Sequence, residues 1–552
     1  MKKITRIIHA PLSALTLAWL TLQLASNAFG VVPPPDGGYP NFTTAEGTNA
    51  LKNLTTGVGN TAAGWYSLFA NSSGNYNTGV GAGTLVLNNA DSNTAVGTAA
   101  LLLNTGGSGN TAVGSTALLN NDGTGNTAIG DSALLSNTTG SGNVAVGSRA
   151  LQNNTTGVDN TATGFGALMS NIGVDNTANG SSALQGNTIG EANTGIGSNA
   201  LSLNTEGSSN TATGASALFA NTLGESNTAT GNEALFANTT GAQNTATGAA
   251  ALASNTIGFS NTADGYFALF TNTMGASNTA SGWGALRNNT TGSTNVATGQ
   301  QAMFNNLDGD RNTAVGASAL FGHTNGNDNT AVGFSALFNI STGAGNIAVG
   351  SGAGAAITMG NSNIDIGNDG VAGDANTMRI GESQFRTFIS GISGVNEGGT
   401  ISAVYINTNG QLGTQPPPSS RRFKDDIKPM DEASEAVLSL RPVTFHYKSD
   451  TKGTAQFGLV AEEVAKVNSD LVVRDADGTV YSVRYEAVNA MLLNEFLKEH
   501  RTVKDQGTTI KDLKREVENL IAVVKEQATQ IEHLSAQVQS KNAASQVVLN
   551  NP

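Results

Sequence analysis

Small apolar residues, one leucine and one glycine recur at fixed places in a polar background through most of the chain. From Thr43 the unit reads Asn-Thr-Ala-x-Gly-x-x-Ala-Leu. Its first positions run from Thr43, Asn60 and Asn77 to Asn346 and Asn363. The step is 17 residues, with three steps of 16, and from Asn176 onward it does not vary. All twenty copies carry Gly at the fifth position, and seventeen carry Leu at the ninth, Met303, Gly354 and Val371 being the exceptions.

A unit this short cannot hold a helix pair or a leucine-rich repeat, which predicts one coil of a β-solenoid per repeat. Thr-Ala-x-Gly is then a short strand, with Ala and Gly facing in and Thr and x facing out. The Leu column is the one large apolar filler of each rung. The leading Asn suits a turn, where it tolerates left-handed backbone and can build side-chain ladders between rungs. Twenty rungs at about 4.8 Å predict a rod of roughly 95 Å.

Beyond the repeats the pattern changes twice. Between Asn376 and Gly413 short strand patterns appear at Thr377–Ile380, Thr387–Ile389 and Val404–Ile406, as in a β-rich neck. After Pro416-Pro417-Pro418, an extended linker, the text becomes charged and mixed. It ends in heptads: Phe496, Val503, Ile510, Val517, Val524, Ile531 and Val538 form one seam. Leu492, Leu513, Leu520 and Leu534 form the other, with Gln506 and Gln527 polar there, so a coiled-coil helix is predicted. Gly507 marks an expected weak point.

Charge narrows the function classes. The 552 residues carry a formal net charge of −13. Between Val31 and Gly413 the basic residues are Lys52, Arg149, Arg287, Arg311, Arg379 and Arg386, which is no footprint for nucleic acid. Met1–Gly30 reads as a secretory signal, with Lys2, Lys3 and Arg6 before an apolar run, Ala10–Ala25, and Ser26-Asn27-Ala28 at its end. That run is short and broken by Ser13, Thr16 and Thr21, so no membrane span is expected once the signal is removed. There is no Cys, so stability has to come from stacking rather than disulfides. The acids Asp264, Asp308 and Asp310 form no calcium loop. His323, isolated in the repeat, is expected at the surface, and no metal or cofactor is expected.

Two resemblances add to this reading. The rod, in units such as Asn143-Val144-Ala145-Val146-Gly147 and Asn346-Ile347-Ala348-Val349-Gly350, resembles the head repeats of trimeric autotransporter adhesins, although its repeat is longer. No membrane β-barrel pattern follows at the C-terminus, so self-export through an own translocator is not expected. Ser419-Ser420-Arg421-Arg422-Phe423-Lys424, Arg441-Pro442-Val443-Thr444-Phe445, Gly458-Leu459-Val460-Ala461-Glu462-Glu463-Val464 and Tyr485 before the helix resemble a second family. These motifs are similar, in order, to the intramolecular chaperone domain of phage endosialidase tailspikes, an auto-processing serine peptidase family. Ser420 stands where that family has Asp, and Glu462 where it has Gln.

The second resemblance implies a homotrimer whose C-terminal domain guides a β-rich passenger and then releases itself. Ser419 would be the nucleophile and Lys424 the general base, neutral when it acts. Arg421, Arg422 and burial would favour the neutral amine, and Asp425 and Asp426 would oppose it. The cut would fall at Pro418–Ser419 or Ser419–Ser420. His446 is expected to be structural.

The sequence therefore predicts a mainly β protein. Its parts are a signal peptide (1–30), a linker (31–42), the solenoid passenger (43–375), a β-rich neck with its Pro linker (376–418), an α/β chaperone domain (419–490), a coiled-coil helix (491–540) and a disordered tail (541–552). It would be secreted or at the cell surface, as a fibre or adhesin with a receptor or ligand the sequence does not name. Thr-Ala-Thr at Thr161, Thr211, Thr228 and Thr245, the last three on consecutive rungs, leaves two alternatives for the rod: an ice-binding face, or a plain spacer with an ordinary wet strand.

Overall fold

The computed structural model describes residues 40–389 and 403–546, apart from positions 408, 417 and 476. The expected signal peptide, most of the linker and the last six residues lie outside the described residues. The chain divides into two units, the first ending at Ile389 and the second starting at Ser390.

In the first unit, 21 three-residue strands among the described residues pair in parallel in one sheet, from β1 (Thr44–Glu46) to β21 (Met378–Ile380). Each repeat pairs with the same positions of the next, as in Thr228↔Thr245 and Ala229↔Ala246. The central Ala is buried and its neighbours face outward, so the period of two is obeyed within a strand only three residues long. This is the predicted β-solenoid, and its sheet runs one strand further than the repeat, through the first of the expected neck strands. Thr387–Ile389 forms no strand.

The fifth-position Gly departs from expectation. It does not fill the interior but turns the corner: Gly231 has φ 137°, and a Cβ there would lie 2.5 Å from the carbonyl oxygen of Gly248 on the next rung. No side chain fits between rungs stacked this closely. Further left-handed points complete each coil; in the rung that starts at Asn227 they are Glu233, Leu235 and Gln243. Leu235 is fully buried at φ 53°. The strain of that conformation, about 1–2 kcal/mol for an L-residue, is offset by burying a whole leucine side chain.

The leading Asn is not itself left-handed; the residue before it is. Its side chain is fully buried and forms the expected ladder. Asn227 Nδ2 donates to Asn210 Oδ1 at 3.1 Å and to the carbonyl of Gly241 at 2.8 Å. A second buried ladder runs beside it, from Asn71 to Asn306. Asn238 Nδ2 donates to Asn221 Oδ1 at 2.7 Å and to the same Gly241 carbonyl at 2.9 Å. Two amide columns converging on one row of carbonyls satisfy every buried polar group they present.

His323 corrects the surface expectation. It occupies the next place in the second Asn column and is fully buried. Its Nδ1 lies 2.9 Å from Asn306 Oδ1 and its Nε2 3.2 Å from Asn329 Nδ2. An acceptor on one side and an amide donor on the other fix a neutral ring with the proton on Nδ1. Burial pushes the His323 imidazole down to about 4. Ile340 and Ile357 then close the column with apolar side chains.

At the end of the solenoid, Asp365 on β20 (Ile364–Ile366) takes the inward place that Ala or Gly holds in other rungs. It is 1% exposed, and its Oδ2 has no hydrogen-bond partner among the described residues. Burial, reinforced by the nearby charge of Asp374, pushes its carboxyl up to about 6, against the opposing pull of Arg379. Arg379 is itself held bidentately by Asp374, at 2.6 and 2.8 Å.

The second unit holds β22 (Tyr405–Ile406) against β23 (Leu412–Gly413), then two further hairpins. β24 (Val443–Phe445) pairs with β25 (Gln456–Gly458), and β26 (Val472–Arg474) with β27 (Val480–Val483). Helix α1 (Ala461–Val467) lies between the hairpins in sequence. Val437, Val464, Leu471, Val472, Val483, Val488 and Met491 form its small core. Helix α2 (Tyr485–Gln546) is continuous through Gly507 and runs past the expected start of the tail. One Gly in a helix this long costs only about 1 kcal/mol, too little to break it.

Candidate functional site

Ser419 and Lys424 are five apart in sequence, and a short turn brings their side chains together. Arg421–Phe423 forms one 3-10 turn, in which the amide of Lys424 donates to the carbonyl of Arg421 at 3.1 Å. The turn doubles the chain back, so Lys424 Nζ donates to Ser419 Oγ at 3.0 Å. This is the reach required of a nucleophile and its base. A lysine acts as a base only when desolvated, and no described residue covers the pair, since both side chains are exposed. Of the two acids expected to oppose it, Asp426 is taken up by Lys428 at 2.8 Å.

The rest of the domain braces the elements that follow the dyad. Arg441, ahead of β24, grips Glu463 on α1 with two hydrogen bonds of 3.1 and 2.5 Å, which holds the Glu463 carboxyl below the usual range. The hydroxyl of Tyr485, first residue of α2, accepts from the amide of Leu459 at 3.0 Å. A Cβ on Gly458 would lie 2.7 Å from that hydroxyl, which accounts for Gly in the Gly-Leu-Val-Ala motif. Ser434 is buried between Glu495 and Asn494 of α2 and ties the 3-10 helix Asp431–Ser439 to it. His446 follows β24 and is exposed. The Arg441–Glu463 clamp has no local sequence signal, because 22 positions separate its partners.

Along α2 both heptad seams are bare: Val503, Ile510, Val517, Leu520, Val524 and Ile531 are all exposed. No helix among the described residues is long and apolar enough to cross a membrane. No cluster of metal-ligating side chains occurs among them.

On the solenoid, Thr211 and Thr213, Thr228 and Thr230, and Thr245 and Thr247 are exposed and paired in register across three rungs. Ile196 interrupts the array on one side and Asp264 on the other. A column at the tenth position of the repeat was not anticipated. It holds stacked Phe304, Phe321 and Phe338, with ring centroids 5.3 and 5.2 Å apart. The signal was present as a second apolar position beside the Leu column.

Residues 419–473 match the family described as chaperone of endosialidase, and the match begins at Ser419. No curated protein matches the chain. The protein thus joins a long β-solenoid to a C-terminal chaperone domain of that type, an arrangement that fits a fibre or tailspike with its own folding aid.

Proposed function

We propose that this is an exported fibre that assembles as a homotrimer, and that its C-terminal domain aligns the three chains before cutting itself off at Ser419. The 3.0 Å contact between Lys424 Nζ and Ser419 Oγ, at the first residue of the family match and directly after the Pro linker, carries the reading. The bare heptad seams of α2 support self-association, and the likeness of residues 419–473 to the chaperone family supports three chains over two.

In the chemistry proposed, neutral Lys424 takes the Ser419 hydroxyl proton as Oγ attacks the carbonyl carbon of the scissile bond. The proton passes to the departing backbone nitrogen, leaving an ester that water hydrolyses. Because the dyad lies open in one chain, its activation is assigned to assembly, which would cover it. Cleavage then follows folding rather than preceding it.

Intact-mass analysis of purified protein tests this. The wild type should give two fragments that meet at Pro418–Ser419 or Ser419–Ser420, and Ser419→Ala and Lys424→Ala should stay whole. Splitting of the alanine variants at the same bond would mean that another protease is responsible.

A further inference from the structure

The outward face of the solenoid strands is apolar in two separate runs. Val315, Val332, Val349 and Ile366 hold the strand's last place on four successive rungs, paired in register. They are 38% to 42% exposed. On the last two of these rungs the strand's first place is apolar as well, at Ile347 and Ile364. A second run fills the same column on five rungs, from Val80 to Val146. Between the runs the column turns polar, with Thr230, Thr247 and Asp264 among its residues. Contiguous exposed apolar rows mark a surface that another molecule covers.

The spacing says which molecule. Rungs rise by about 4.8 Å, so a partner that fills such a row along its length needs the same step, and a second copy of the solenoid has it. Charge points the same way. In a parallel threefold assembly identical residues meet around the axis, so the face turned there has to tolerate its own copy. The turn before the leading Asn fits this poorly. Asp159, Asp175, Glu191, Glu206 and Glu225 are exposed on it, one on each of five successive rungs, and copies of it would set like charges together. Among the described strands, the outward places carry only two charges, Glu46 and Asp264. Two outward places on each of 21 strands also exceed the roughly 20–30 residues a side that a stable interface uses. We infer, resting on the homotrimer proposed for this fibre, that the strand face is turned to the threefold axis. The two Val/Ile runs are where the chains touch, and the Thr rungs between them line a wet inner seam.

The chain has no Cys, so single substitutions give unique probes. Val332→Cys and Val349→Cys, in the full chain, are treated with a short bis-maleimide and run on a denaturing gel. Glu225→Cys, on the acidic turn, is the comparison. The two strand-face variants should join solenoids covalently, and Glu225→Cys should stay single. Neither valine is a core residue, and either variant alone decides the matter if the other misfolds. Light scattering on the wild type separates the outcomes. In a trimer, single chains from the strand-face variants, or joining at Glu225→Cys as strong as theirs, would overturn this face and leave the trimer standing. A monomeric wild type would overturn both.

Discussion

The side-chain oxygen of Asn227 accepts two hydrogen bonds from Asn244 on the next rung, 3.0 Å from its backbone nitrogen and 3.1 Å from its amide. One residue thus satisfies a buried main-chain donor and continues a ladder, and its own amide reaches Asn210 and Gly241. Asn227→Ala removes four hydrogen bonds and strands a buried N–H, at about 1–3 kcal/mol for each group left unpaired. Asn227→Asp keeps the acceptor but loses both donated bonds and buries a charge. Urea unfolding should show both variants destabilised by several kcal/mol, and Thr228→Ser, on the wet side, nearly unchanged. Equal midpoints for all three would mean that stacking of Ala and Leu, not the ladders, holds the rungs.

The repeat period made the first ladder legible, because the motif begins with Asn. The second ladder has the same period but lay in a stretch that reads as spacer, since only the fold brings Asn227 and Asn238 to the same Gly241 carbonyl. His323 looked like a surface residue for the same reason: taken alone it is a polar residue, and only its column shows that it replaces an interior amide. Glycine at the fifth position was visible but its role was not. Alternation along a strand says which way a residue faces, but it cannot show that the strand stops after three residues or how near the next rung comes. The pairing of Ser419 with Lys424 was expected from the family resemblance, since their spacing alone is too common to point to it. The clamps by Arg441 and Tyr485 depend on tertiary placement and left no local trace.

His323 should give the solenoid an acid-sensitive limb. Its folded value of about 4 lies below the ordinary value of 6.5, with burial as the cause. The unfolded chain therefore binds the proton more readily between these values. Stability is fully present above pH 6.5 and falls as pH drops toward 4, by up to about 3 kcal/mol. His323→Asn rebuilds the amide column and should remove that limb. The measurement is urea unfolding of uncleaved Ser419→Ala protein that also carries Asp365→Ala, since the Asp365 limb has the opposite sign over the same range, at several pH values from 4 to 7, with and without the histidine substitution. An unchanged acid limb in His323→Asn would assign it elsewhere.

Asp365 should act with the opposite sign. Its carboxyl is raised from 3.8 to about 6, chiefly by burial, so the folded state holds the proton more tightly. Stability from this group is present below pH 3.8 and is lost as pH rises to 6, again by up to about 3 kcal/mol. Asp365→Ala restores the small inward residue of the other rungs and leaves Arg379 paired with Asp374. It should stabilise the protein at pH 7 and do little at pH 4. The two limbs overlap and offset each other in the wild type, so each single variant should uncover the other's limb. A wild type with a steep acid limb that Asp365→Ala leaves unaltered in slope and height would contradict this pairing.

Successive rungs are nearly identical, with the same Thr, Ala, Gly, Asn and Leu columns, so a neighbour shifted by one repeat meets almost the same surface. Local contacts therefore specify alignment between chains weakly. A distinct element that associates first could fix the register, and α2 is suited to it: its seams are apolar and bare in one chain, and Gln506 and Gln527 break their uniformity. Once the rungs of three chains have closed on each other, removing that element should leave the product held by a kinetic barrier rather than by a continuing need for the domain. A chain made to end at Pro418 from the outset should thus aggregate or misassemble. The same residues, made full length and then released by cleavage, should form a soluble trimer with a steep melt at high temperature. Size-exclusion light scattering and circular dichroism on the two preparations decide the matter. If both give the same trimer with the same melting curve, the domain is not needed to align the chains, even if Ser419 proves to cut.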